Sequence, residues 1–170
     1  MESIILIVED DENDRLFESV AFSGIGLGDS LRFAIDGHEA IDYLQGTGKF
    51  KDRALSPLPS LILLDLNLPY ILGLDVLRWV RSQPQFQSTL VIPLTSSNRS
   101  IDIESTRAAG ANDFLVKPLG LGGWQTIAHR IQDSWLVQHS GTTPAWGTLA
   151  QIAGLANKTE IKPAATKSSQ

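Results

Sequence analysis

Four places in the chain carry residues able to do chemistry together. Asp10 and Asp11 follow the apolar run Ile4 to Val8, and Asp65 follows Leu61 to Leu64. Thr95 ends the run Leu90 to Leu94, and Lys117 ends Asp113 to Val116. Three carboxylates brought into one partly dry pocket repel unless a cation neutralises them or one acid keeps its proton. Hard oxygen donors without a nearby histidine or cysteine suit Mg²⁺, completed by waters and a phosphoryl oxygen. A carboxylate such as Asp65 can then act as a nucleophile and form an acyl phosphate. Lys117 would supply a point charge to Asp65 and to phosphoryl oxygens, and Thr95 a hydroxyl.

Each residue also has a plainer role open to it. Asp10 and Asp11 can cap a following helix, since acids favour helix N-termini. Asp65 can be a turn residue ahead of Asn67 and Pro69, Thr95 a strand-end hydroxyl, and Lys117 a solvated side chain before Pro118. Their joint placement at four strand ends is what favours a shared site.

The elements that must hold these residues can be read from hydrophobic spacing. Strands are expected at Ile4–Val8, Leu31–Ile35, Leu61–Leu64, Leu90–Leu94 and Asp113–Val116. Between them, helical spacing covers about 12–24 (apolar face Leu16, Phe17, Val20, Ala21), 36–45, 74–82 and 100–109. A last helix spans about 123–138, with Trp124, Ile127, Ala128, Ile131, Trp135 and Leu136 on one face. Such alternation predicts an α/β fold: a parallel sheet of five strands covered on both sides by five helices. In these sheets function gathers past the carboxyl ends of the strands, where strand order reverses.

The 170 residues suit one domain, 1–138, with a tail, 139–170, rich in Gly, Thr, Ser, Ala and Lys. The tail is expected to be disordered or to form one short helix near Trp146. A net charge of −5 without a basic stripe disfavours direct nucleic-acid binding. No apolar run approaches the ~18 residues of a membrane span. With no cysteine there is no disulfide or thiolate site, and a cytoplasmic location is expected. His38, His129 and His139 fit no ligand spacing. The glycines of 24–28 follow a helix rather than a strand and read as a connector.

The stretches IILIVEDDENDR, LILLDLNLP, Gly73, VIPLTSS and GANDFLVKP resemble the receiver domain of two-component response regulators, over residues 3 to about 138. The resemblance implies a flavodoxin-like, doubly wound sheet of order 2-1-3-4-5. It implies Mg²⁺ held by Asp10, Asp11, Asp65 and the Asn67 backbone carbonyl. Asp65 would take a phosphoryl group from a histidine kinase, bound by Thr95 and Lys117, with Thr95 and Phe114 as the switch pair. The segment 36–69, with its extended loop, and the late DSWL further resemble stand-alone receivers paired with phytochrome-type kinases. That implies a light-sensing kinase as partner and a homodimer. With no helix-turn-helix or enzymatic module after residue 138, output is expected through an unidentified downstream protein rather than enzymatic turnover.

Two segments depart from the family pattern. The loop after Asp65 carries the apolar Tyr70, Ile71 and Leu72, and LGLGG follows Pro118. Two other functions compete with the switch. A phosphorelay intermediate uses the same residues. A haloacid-dehalogenase-like phosphatase would need an acid two residues past the nucleophile, where this chain has Asn67.

Overall fold

The apolar runs become strands and the amphipathic segments helices in the computed structural model, which describes residues 4–96, 100–133 and Trp146. The order is β1 (Ile5–Val8), α1 (Glu12–Gly24), β2 (Leu31–Ala34), α2 (Gly37–Gln45), β3 (Leu61–Asp65), α3 (Gly73–Ser82), β4 (Leu90–Thr95), α4 (Ser100–Ala108), β5 (Leu115–Val116) and α5 (Gly120–Ile131). All pairings are parallel and the sheet runs β2-β1-β3-β4-β5. The expected order is therefore the one found, with its reversal between β1 and β3.

Alternation along the strands splits the core into two layers. Ile5, Ile7, Leu61, Leu63, Ile92, Leu94 and Leu115 join α1 and α5 through Ala21, Phe22, Trp124, Ile127, Ala128 and Ile131. Leu6, Val8, Ile62, Leu64 and Val91 join α2 and α3 through Ala40, Tyr43, Leu44, Val76, Leu77 and Val80. Burial on both faces explains why the strands read as continuous apolar runs rather than alternating ones. The long 46–59 connection is tied down by Arg53, which donates to the carbonyls of Tyr43 and Leu44 at 2.7 Å each, closing the end of α2. The Tyr43 hydroxyl adds a 2.7 Å bond to the Pro57 carbonyl.

Helix α1 turns inward only half of the face its spacing suggested: Ala21 is buried and Phe17 packs half-buried against the core. Glu18, Ala21 and Phe22 are its buried residues, while Leu16 and Val20 are 58% and 43% exposed. Both stripes have helical spacing, so periodicity could not choose between them. The bulk of Phe22 in the core wins, and it carries Glu18 inward with it. Helix α5 starts at Gly120, earlier than expected, so most of LGLGG forms its first turn. Glycine is required there because a Cβ at Gly123 would stand 2.4 Å from the Cβ of Pro118. Its expected face is buried at Trp124, Ile127, Ala128 and Ile131. Trp135 and Leu136, like the tail apart from Trp146, lie outside the described residues.

Candidate functional site

The strand ends β1, β3 and β5 bring three side chains together by simple continuation of one stripe. Ile7, Leu63 and Leu115 face the α1 and α5 layer. Two residues further on, Glu9, Asp65 and Lys117 continue that face past the apolar core. Glu9 still belongs to the ladder, its amide donating to the Ala34 carbonyl at 3.0 Å. Lys117 is fixed the same way, through its amide to the Thr95 carbonyl at 2.8 Å.

Lys117 Nζ lies 2.6 Å from Asp65 Oδ2, 2.6 Å from Glu9 Oε2 and 3.0 Å from Asp14 Oδ2. Burial works to lower the ammonium's pKa, but its hydrogen bond to Asp65, the close Glu9 carboxylate and the Asp65 charge outweigh burial and hold it raised. Glu9 moves up to about 7, because burial and the Asp65 charge outweigh the pull of the nearby Lys117 ammonium. The second oxygen of Asp65, Oδ1, accepts from the Asn67 amide at 2.8 Å. Both oxygens of this buried carboxylate are thus held in place, at a strand end that is only 2% exposed.

The turn after Asp65 is closed by the Gly73 amide on the Leu66 carbonyl, 3.1 Å, and by Leu66 on the Leu94 carbonyl, 3.0 Å. A Cβ at Gly73 would stand 2.0 Å from the Asp65 carbonyl oxygen, so only glycine lets α3 begin against the site. The apolar trio of this turn divides. Ile71 packs into the α2 and α3 layer, whereas Tyr70 and Leu72 are exposed at 86% and 57%. Tyr70 has a left-handed backbone, φ 66°, and its ring lies 6.3 Å from that of His38.

The carboxyl groups gathered here are not the set expected. One oxygen from each of Glu9, Asp10 and Asp65 lies within 4.8 Å of the others. Asp11 is not among them. Its Oδ1 accepts from the Asn13 and Asp14 amides at 2.8 and 3.1 Å, capping α1, and these bonds lower its pKa. The plainer of its two roles is the one it takes, and Glu9 stands in the cluster instead. Sequence reading also passed over Asp14, the third acid on Lys117, and Glu18, sealed beneath α1 with neither carboxylate oxygen hydrogen-bonded.

The donors present fit a small divalent cation. Three strand-end carboxylates (Glu9, Asp10, Asp65) and Asp14 from the first turn of α1 stand around two cations, Lys117 and Arg15. The Arg15 guanidinium is occupied with the Glu9 and Asp10 carbonyls at 2.8 and 2.7 Å. Glu9 Oε2 is within ion-pair distance of Lys117 but outside hydrogen-bond direction, which leaves a buried lone pair for another ligand. All donors are oxygens, as hard cations prefer.

Thr95 is buried at the end of β4, next to β5 in the sheet. Phe114, just before β5, is half-buried. His38 and His129 are exposed and belong to no such cluster among the described residues. No helix among the described residues is long and apolar enough to cross a membrane.

The chain matches the response regulator receiver domain over residues 5–128. It is 30% identical over 145 residues to the probable methanogenesis regulatory protein FilR2 of Methanothrix harundinacea, covering 84% of this chain and 89% of that protein. To the response regulator Rcp1 of Synechocystis it is 31% identical over 133 residues, covering 78% and 88%. The solved Mn²⁺-bound form of Rcp1 superposes with a TM-score of 0.69 at 30% identity, covering 84% of this chain and 99% of that one. The phosphorylated cyanobacterial phytochrome response regulator RcpA gives 0.74 at 29% identity, covering 85% and 100%. Fold, strand-end acids and these likenesses agree: the chain belongs to the response regulator receiver family.

Proposed function

We propose that the chain is a phosphoacceptor switch in which Asp65 takes a phosphoryl group from a histidine kinase and the resulting change alters partner binding. The observation that carries this reading is the setting of Asp65. One oxygen is held by the Asn67 amide, the other by Lys117, and Glu9 and Asp10 stand alongside. Glu9, Asp10 and Asp65, with the Asn67 backbone carbonyl, would hold Mg²⁺. Bound there, the metal would supply charge neutralisation for the phosphoryl oxygens.

An Asp65 oxygen attacks phosphorus in line with the P–N bond of the kinase's phosphohistidine. A new O–P bond forms, the donor bond breaks, and the leaving group departs with its electron pair. Lys117 then moves its pairing from the carboxylate to the new phosphoryl oxygens, which add roughly −1.5 to −2 of charge. The Thr95 hydroxyl binds the same oxygens, and Phe114 takes up the space that Thr95 leaves. Such a repacking carries a local charge change to the face formed by α4 and β5. Likeness to a phytochrome response regulator and to Rcp1 supports a phytochrome-type kinase as donor.

Incubation with acetyl phosphate and Mg²⁺ tests the chemistry. The intact mass should rise by one phosphate in wild type and stay unchanged in Asp65→Ala. Equal labelling of the two proteins, or none in wild type, would end this reading.

A further inference from the structure

Trp146 lies thirteen positions beyond Asp133, yet it sits on the domain. Its indole is 5.7 Å from the Phe114 ring, centroid to centroid, with the planes 35° apart. On its other contact, the Arg107 guanidinium carbon is 5.6 Å from the ring. Arg107 belongs to the last turn of α4, and Phe114 leads into β5. One side chain from the tail therefore bridges these two elements, through an aromatic contact and a cation over a π face. Its partner Phe114 is the residue whose movement the phosphoacceptor reading requires.

We propose that Trp146 is a resident occupant of the α4–β5 face, docked on Phe114 and Arg107, and that it opposes loading of Asp65. Docking stands on the contacts alone, while the coupling half rests on the phosphoacceptor reading. A Phe114 ring held against Trp146 cannot fill space nearer Thr95 without giving up that contact. Docking and phosphoryl binding thus disfavour each other, and linkage makes the effect equal in both directions. An outside partner for this face must first displace the indole.

The test uses full-length protein carrying 5-fluorotryptophan, with the Trp146 ¹⁹F signal assigned through Trp146→Phe. In wild type the signal should be displaced from that of free 5-fluorotryptophan, and Arg107→Ala should move it toward that position. Beryllofluoride with Mg²⁺, a phosphoryl mimic, should move it the same way. Trp146→Ala should bind beryllofluoride about fivefold more tightly, the lower end of ordinary coupling, and Trp146→Phe should restore much of the wild-type affinity. A wild-type signal already at the free position and unmoved by Arg107→Ala overturns the docking. Equal beryllofluoride affinity in wild type and Trp146→Ala, with a stationary signal, overturns the coupling. Absence of beryllofluoride binding in every variant rejects the phosphoacceptor reading and the coupling with it, while the Arg107→Ala result still decides docking. A Trp146 signal that changes on dilution would show a second copy supplying the indole, against docking within one chain.

Discussion

Glu9 and Glu18 are both sealed from solvent, a few residues apart along the chain, and they are treated very differently. Glu9 sits at the strand ends with Lys117 at 2.6 Å and two further acids beside it. Glu18 sits beneath α1 with no hydrogen bond to either oxygen. Burial raises its pKa well above the usual carboxylate range, and the Glu9 charge pushes the same way. One acid is placed where a cation can use its charge. The other is carried inward by the packing of its helix and is most stable with its proton on. A buried acid therefore marks a site only when its surroundings supply partners for the charged form.

The largest test of that contrast removes the shared cation. Lys117→Met should lower stability by ~3 kcal/mol at pH 8, as losing one member of a buried pair does. Urea unfolding should show most of this loss recovered by millimolar Mg²⁺ if the acids gather a metal. Lack of any recovery would argue that Lys117 is only structural.

Glu18→Leu should do the opposite and stabilise by roughly 1–3 kcal/mol at pH 8, the usual cost of a buried unsatisfied polar group. A destabilised variant would reveal a partner for Glu18 and erase the comparison. Both glutamates have folded pKa values above the ordinary 4.5, so the folded state holds protons that the unfolded state has lost. Stability of the metal-free protein should therefore fall as pH rises from 4.5 through about 7, the window set by Glu9. Glu18→Leu should flatten the remainder of that fall, and Mg²⁺ should flatten the part due to Glu9. A stability that rises steadily across this range would contradict both assignments.

The smallest effect separates neighbours. Glu9→Gln should weaken Mg²⁺ binding on the order of tenfold, a size usual for perturbed metal surroundings. Asp11→Ala should leave it unchanged, with a slight loss of α1 stability from the missing cap. Calorimetric titration with Mg²⁺ distinguishes the two, and the reverse ranking would return Asp11 to the site.

Most of the fold was legible because the strands other than β2 are short runs dominated by β-branched residues or leucine and bounded by turn residues, and the acids and lysine mark the strand ends. Asp65, Thr95 and Lys117 could be located by that rule alone. Glu9 was hidden by its neighbours: three acids in a row satisfy the pattern in more than one register. The signal was nonetheless present in the strand's alternation. Ile7 and Glu9 share a face, and Val8 pairs with Leu64, so Glu9 falls beside Asp65. Glu18 was beyond reach, because two overlapping helical stripes compete in α1 and side-chain volume, not spacing, decides between them. The contact of Trp146 with Phe114 joins residues far apart in sequence, through pieces of chain whose composition favours no particular path.

Gly73 has a use outside this molecule. The approach of its backbone to the Asp65 carbonyl, too close for any side chain, sets the length of the intervening loop as well as the residue type. The pair works as a ruler: a chain that folds this loop in the same way needs a glycine at the same interval after the strand-end acid. A distant sequence that keeps the acid but breaks the interval should be expected to route this loop differently, and its neighbouring residues should not be numbered onto Asn67 or Tyr70.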